Sequence, residues 1–151
     1  MEEIRYILVD TCIWIDYLKS DYKRKIINNI VRGATLCTNQ LIDFELEIGL
    51  RKIDEKTTWD TKDFNLNPLP VSADIFKELN LYKTSLKKCD HNVTPSATDA
   101  IIGSQILKFK SSKLMLLTAN HKDFPTSIFE RVETYWVEGE KPYTYCLYRA
   151  K

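Results

Sequence analysis

Two short apolar runs constrain this chain more than any other feature. Tyr6 to Val9 is uninterrupted and ends at Asp10; Lys113 to Leu117 is nearly so and runs into Thr118-Ala119-Asn120. Neither alternates apolar with polar residues, so neither reads as a half-exposed strand. Both read as strands buried on two faces, the kind found in parallel sheets covered by helices. Such a sheet needs crossover segments, and the residues between the runs supply helical spacing. Apolar positions recur at Ile13, Trp14, Tyr17 and Leu18, and a second helix is expected over Lys23 to Val31, stopped near Gly33. Ala34 to Cys37 reads as a strand, and Leu41 to Arg51 as a helix capped by Thr38 or Asn39.

Further along, Asp54 to Asn67 is polar and reads as a weak helix or loop. Pro68-Leu69-Pro70-Val71 is expected at a sheet edge, because proline cannot donate to a ladder. A helix is expected from Ser72-Ala73-Asp74 to about Lys88, and another from Thr94-Pro95 or Ser96 to about Phe109. Val132 to Val137 reads as a late strand, and Tyr143 to Tyr148 as a candidate final one. Alternating strands and helices predict a three-layer α/β/α domain with a central parallel sheet. In such sheets ligands bind beyond the carboxyl ends of the strands. That rule singles out Asp10 and the Thr118/Asn120 turn.

The helix over Leu41 to Arg51 contains an acid out of place. At 3.6 residues per turn, Asp43, Glu47 and Arg51 share one face, the expected solvated stripe. Leu41, Ile42, Phe44, Leu46, Ile48 and Leu50 cover the rest, and Glu45 falls within that apolar arc. A carboxylate on an apolar face needs a cationic partner, a place at the rim, or a metal. Asp99 raises the same question. Ile102 and Ile106 follow it on its own side, and Ala100, Ser104 and Lys108 are expected to be the exposed face. Ser96-x-x-Asp99 also resembles a capping box, which would explain this acid without chemistry. Asp10 has its own plain reading, as a turn or cap residue.

Taken together, three acids from three segments are expected near one sheet edge. Clustered carboxylates repel, and a divalent cation relieves that cost. An all-oxygen set suits Mg²⁺ or Mn²⁺, and Mg²⁺ on a few carboxylates is characteristic of phosphate chemistry. Zinc is not expected: Cys12, Cys37, Cys89 and Cys146 form no CxxC pair, and there are two histidines. Cys89-x-His91 is a weak metal candidate. Cys12 and Cys37 sit in apolar stretches, where free cysteine packs as a small hydrophobe.

At this point four stretches resemble the motifs of PIN-domain nucleases, particularly the VapC-type toxins. The first is Val9-Asp10-Thr11-Cys12-Ile13-Trp14-Ile15-Asp16-Tyr17-Leu18. The second is Phe44-Glu45-Leu46-Glu47-Ile48-Gly49-Leu50, in the phase that selects Glu45 over Glu47. The third is Thr98-Asp99-Ala100-Ile101-Ile102, and the fourth Leu116-Leu117-Thr118-Ala119-Asn120-His121-Lys122-Asp123-Phe124. The resemblance covers roughly Ile4 to Val137. It implies strand order 3-2-1-4-5, a Mg²⁺- or Mn²⁺-dependent endoribonuclease, frequent homodimers and a cognate antitoxin protein as partner. Carried onto this chain, Asp10, Glu45, Asp99 and Asp123 would hold metal, with Asn120 joining them at the catalytic site. Asn120 stands where many members have aspartate, so Asp123 would supply the fourth charge. Thr11 and Thr118 would orient the acids from behind.

Residues 1–137 are then expected to form the nuclease domain. Residues 138–151 form an extension of it, with Tyr143, Tyr145 and Tyr148 making an added strand or a dimer contact, or, less expected, a surface on which RNA bases stack. The RNA backbone would be gripped by Lys87 and Lys88, with Lys83 and His91 nearby and Lys23, Arg24 and Lys25 as a second group. Net charge works against a broad electrostatic hold: 22 basic against 21 acidic side chains leave +1. Selectivity would then lie in the shape of one RNA. No run is long enough to span a bilayer, and Met1 to Asp10 lacks the features of a signal peptide, so a cytoplasmic protein is expected.

Other readings compete. A non-catalytic PIN-like RNA-binding or scaffold protein would bind without metal. A phosphohydrolase with a nucleophilic aspartate would want a second aspartate where Cys12 stands. A receiver domain needs an acid pair and a late lysine that are not identifiable, and a flap-type DNA nuclease normally has more acids and a longer chain.

Overall fold

Asp10 ends one element and begins the next, and that short connection sets the geometry of the fold. Its backbone is extended (φ −68°, ψ 156°), and its carboxylate accepts the Thr11 amide at 2.7 Å, capping the following helix. The computed structural model describes residues 3–53, 59, 64–71, 75–88 and 95–151, without the side chains of 51–53 and 81. Its elements are β1 (Tyr6–Val9), α1 (Thr11–Lys19), α2 (Asp21–Ile30), β2 (Thr35–Thr38), α3 (Gln40–Ile53), β3 (Asn67–Pro68), α4 (Ile75–Lys88), α5 (Ala97–Lys108), β4 (Met115–Thr118), β5 (Phe129–Val137) and β6 (Tyr143–Ala150). Ser20 closes α1 and caps α2, accepting the Lys23 amide at 3.3 Å. Asn39 caps α3 through the Ile42 amide at 2.9 Å, and its side-chain amide donates to Gln105 of α5 at 2.8 Å. Gly33 turns the chain after α2 with φ +74°, a conformation that costs glycine little.

The two apolar runs are adjacent parallel strands at the sheet centre, with Ile7, Leu8 and Val9 opposite Met115, Leu116 and Leu117. On the other side β1 pairs in parallel with β2, and β2 with the two-residue strand β3 at the edge. Pro68 lies in that edge strand, where its missing N–H does least harm. Ile7, Leu8, Val9, Leu116 and Leu117 are all buried. A continuous apolar sequence is what a strand covered on two faces requires.

The α/β architecture is as expected; the far side of the sheet differs. Its order is β3-β2-β1-β4-β6-β5, and β6 runs antiparallel to both neighbours. The late strand expected fifth in the order 3-2-1-4-5 is β5 at the outer edge. β6, inside the 138–151 segment read as an extension with a candidate strand over Tyr143 to Tyr148, lies between β4 and β5. Its Tyr145, Cys146, Leu147 and Tyr148 are buried and belong to the core. The reason is local: a tight return from Val137 to Tyr143 can form only an antiparallel pair, and β6 carries more buried apolar surface than β5, so β6 takes the covered position.

Two helical faces also depart from expectation. On α3 the exposed positions include Phe44 (62%) and Ile48 (42%), not Asp43 and Glu47. Asp43 is half-buried, accepting from Thr38 at 2.8 Å and the Trp59 indole at 3.0 Å. Glu47 has a buried oxygen with no hydrogen-bond partner among the described residues. On α5, Ala100 and Ser104 are buried rather than exposed, because the helix packs on α4 and also reaches β6. Ser104 meets its burial by donating to the Ala100 carbonyl at 2.7 Å.

Candidate metal-binding nuclease site

The site grows from the parallel pairing of β1 and β4. Because Val9 lies opposite Leu117, the residues just beyond them meet. The Asp10 amide continues the ladder to the Leu117 carbonyl at 3.1 Å. Thr118 is fully buried, and its hydroxyl donates to Asp10 Oδ2 at 2.7 Å while accepting the Asn120 amide at 2.9 Å. Thus Thr118 ties the first acid to the loop carrying the fourth. Burial pushes the Asp10 carboxyl above its usual range, against the Thr118 bond, which pulls it down.

Thr11 makes the second link. Its amide serves Asp10 and its hydroxyl donates to Glu45 Oε2 at 2.9 Å. The other oxygen of Glu45 accepts from Thr98 at 2.5 Å. Glu45 is therefore linked to Asp10 through Thr11, but not from an apolar arc. The arc was misphased, since Phe44 beside it is exposed; two threonine hydroxyls hold the carboxylate instead. Thr98 was missed by sequence reasoning. Its only signal is its place next to Asp99 in the first turn of α5.

Asp99 satisfies both of its readings at once. Ser96 caps α5, accepting the Asp99 amide at 3.2 Å and donating to Asp99 Oδ2 at 2.9 Å. The same Oδ2 receives the Asn120 side-chain amide at 3.3 Å, and that nitrogen also donates to Asp123 Oδ2 at 2.8 Å. Burial, then the negative charge of Asp10, pushes the Asp99 carboxyl up to about 7. Asp123 is buried, and its Oδ1 has no hydrogen-bond partner among the described residues. Cys12 also lines the site, 3.6 Å from Asp10 Oδ2; burial pushes its thiol up to about 12, so it remains protonated.

The structure thus brings Asp10, Thr11, Glu45, Asp99, Thr118, Asn120 and Asp123 into one connected set. Among the described residues no three acidic, histidine or cysteine side chains stand close enough to enclose an ion directly. Asn120 bridges Asp99 and Asp123, and hydroxyls occupy both oxygens of Glu45. The donor chemistry nevertheless fits a hard cation. The four acids offer only oxygens, one carboxylate oxygen is buried with no hydrogen-bond partner among the described residues, and burial, then the charge of Asp10, holds a second carboxyl far above its ordinary range. Mg²⁺ commonly keeps several waters and takes one or two carboxylates, so a full protein cage is not needed.

Lys87 and Lys88 are exposed at the end of α4 and, among the described residues, make no hydrogen bond or ion pair with the acids. Lys23 and Arg24 are engaged elsewhere: Lys23 pairs with Asp16 at 3.6 Å, and Arg24 with Asp21 at 3.2 Å. Cys89, His91 and most of the expected 54–67 segment lie outside the described residues. Cys12, Cys37 and Cys146 are free thiols.

No helix among the described residues is long and apolar enough to cross a membrane. No curated protein matches the sequence. In fold, the chain is similar to a chain of the crystal structure of VapBC2 from Rickettsia felis bound to a DNA fragment from their promoter. The TM-score is 0.55 at 18% identity, over 79% of this chain and 90% of that one. The PIN domain matches residues 7–126, a span that contains all four acids and ends just before β5. The chain belongs to the PIN domain family.

Proposed function

We propose that this protein is a Mg²⁺- or Mn²⁺-dependent endoribonuclease and the toxin of a toxin–antitoxin pair. The observation that carries the reading is the linked set at the ends of β1 and β4, in which Asp10, Glu45, Asp99 and Asp123 are joined through Thr11, Thr118 and Asn120. PIN domains are in general nucleases that use divalent metal ions, which supports the class of chemistry. The similar structure is a VapBC complex, which supports an antitoxin partner. RNA as substrate and the homodimer rest on the motif resemblance.

Asp10, Glu45, Asp99 and Asp123 would hold the cation, directly or through water. A divalent cation bound there supplies Lewis acidity toward water and toward the scissile phosphate. The chain's own part is placement. The α1 cap fixes Asp10 at the end of β1, Thr11 and Thr98 hold Glu45 by both oxygens, and Asn120 spaces Asp99 from Asp123. Hydrolysis adds water across the P–O3′ bond: the water oxygen joins phosphorus, the 3′-oxygen leaves with a proton, and the products are a 5′-phosphate and a 3′-hydroxyl. Lys87 and Lys88 are the proposed backbone contacts.

The test is cleavage of a panel of structured RNAs with Mg²⁺, Mn²⁺ or EDTA. The expected result is cleavage that EDTA abolishes and that Asp10→Asn, Glu45→Gln and Asp99→Asn each reduce at least 100-fold. Parent-rate cleavage by all three variants would remove the mechanism. Metal-independent RNA binding with no cleavage would favour a non-catalytic PIN-like binding protein.

A further inference from the structure

Asp123 lies in the loop after β4, so something other than a strand ladder must hold it. Its side chain meets the Asn120 amide and the Asp99 carboxyl. Its backbone is fixed from a different element. The Tyr82 hydroxyl, from α4, donates to the Asp123 carbonyl. Tyr82 is fully buried, and its ring meets Phe129 edge-on with centroids 5.8 Å apart. The next residue, Phe124, is also buried and packs on Phe129 and Tyr148. The main chain at Asp123 is thus pinned by a hydroxyl on one residue and an aromatic plug on the next.

Space for the Tyr82 ring comes from α5. A Cβ added at Gly103 would stand 2.9 Å from Tyr82 Cζ and 3.1 and 3.2 Å from the two Cε atoms. Gly103 has helical geometry and needs no special backbone freedom, so its value lies in the missing side chain. The glycine is a notch, and α4 docks on α5 with the ring seated in it. A buried tyrosine hydroxyl normally finds a partner. This one takes the main chain of the residue whose carboxylate has a buried oxygen with no hydrogen-bond partner among the described residues. Burial, then the charges of Asp123 and Asp99, pushes the Tyr82 hydroxyl above its usual range, so it remains a donor.

We propose that Tyr82, seated against Gly103, is a positioning residue that aims the Asp123 carboxylate into the acid cluster. The inference rests on the reading above that the cluster binds a divalent cation. Tyr82 touches neither substrate nor ion; it acts through Asp123.

The experiment measures Mn²⁺ affinity by electron paramagnetic resonance on the purified full chain, with Tyr82→Phe, Asp123→Asn and the double variant. Amide hydrogen exchange of residues 120–124 is followed in the same samples without metal. Phenylalanine keeps the packed ring, so the variant folds, and melting curves check this. Tyr82→Phe is expected to weaken Mn²⁺ about tenfold, in the range seen when a group supporting a metal ligand is removed. It should speed exchange in the loop and lower kcat for RNA with KM unchanged. Added to Asp123→Asn it should cost nothing further, because both act through one carboxylate. Gly103→Ala, which displaces the ring, should weaken Mn²⁺ in the same direction. Parent-like Mn²⁺ affinity for Tyr82→Phe, beside a weakened Asp123→Asn, overturns the inference, as does full additivity in the double variant. Unchanged loop exchange in Tyr82→Phe overturns it whatever Asp123→Asn does. If Tyr82→Phe loosens the loop but Asp123→Asn leaves Mn²⁺ binding intact, the metal role of Asp123 is what falls, and the positioning role falls with it.

Discussion

Replacing Thr118 by valine isolates one hydroxyl at the centre of the site. The side chains are nearly equal in size, so the buried position is refilled without a cavity, and only the polar atom is lost. That atom donates to Asp10 Oδ2 at 2.7 Å and accepts the Asn120 amide at 2.9 Å. A hydrogen bond to a charged group is worth about 1.5–3 kcal/mol, and a stranded amide costs roughly 1 kcal/mol or more. The expected loss with Asp10 ionised is about 3 kcal/mol. For a domain of this length each kcal/mol moves Tm by about 2–4 °C, so Tm should fall by about 6–12 °C. The loss should also depend on pH. Burial raises the folded-state pKa of Asp10, so between its unfolded and folded values the folded protein binds more protons, and this group's contribution falls as pH rises. The Thr118 bond counters that rise, and removing it hurts most where Asp10 is ionised. Melting curves in EDTA over a pH series test this, with Thr118→Ser as the control that restores the donor. A loss that does not grow as pH rises anywhere in the series, or a serine variant as unstable as the valine one, would refute the reasoning.

Asp99 gives a second pH signature. Its carboxyl is held at about 7, well above the ordinary aspartate value of 3.8, so in EDTA the protein should gain stability as pH falls from 8 toward 5. Asp99→Asn should flatten that slope between pH 6 and 8, and Mn²⁺ should bind the parent more weakly at pH 6 than at pH 8. Deleting residues 138–151 should leave a chain that does not fold, as read by circular dichroism. The deletion removes the strand between β4 and β5, and with it Tyr145, Leu147 and Tyr148, at roughly 2 kcal/mol per large buried side chain. That is comparable with a total stability of about 5–15 kcal/mol. A folded, cleaving truncate would mean that β5 can replace β6 beside β4.

The sequence alone was enough to establish the centre of this protein. An apolar run such as Ile7-Leu8-Val9 has few stable placements except between two covering layers, and the parallel neighbour was legible in Leu116-Leu117. The capping chemistry was legible for the same reason: Asp10, Ser96 and Asn39 act on amides within three residues of themselves, so local spacing contains the information. With the sheet-edge rule these features singled out Asp10 and the Thr118/Asn120 turn. The order of the last two strands was not legible, because β5 and β6 are both plausible strands and their ranking depends on which buries more once β4 is in place. Nor was the phase of α3. A helical wheel assumes one buried face, whereas Asp43 turns to Thr38 before the helix and to Trp59, and Glu45 turns to Thr11 and Thr98, both distant in sequence. Hydrogen bonds to such partners, like the seat of Tyr82 on Gly103 beneath Asp123, exist only after the chain has folded, and so only the tertiary structure could decide them.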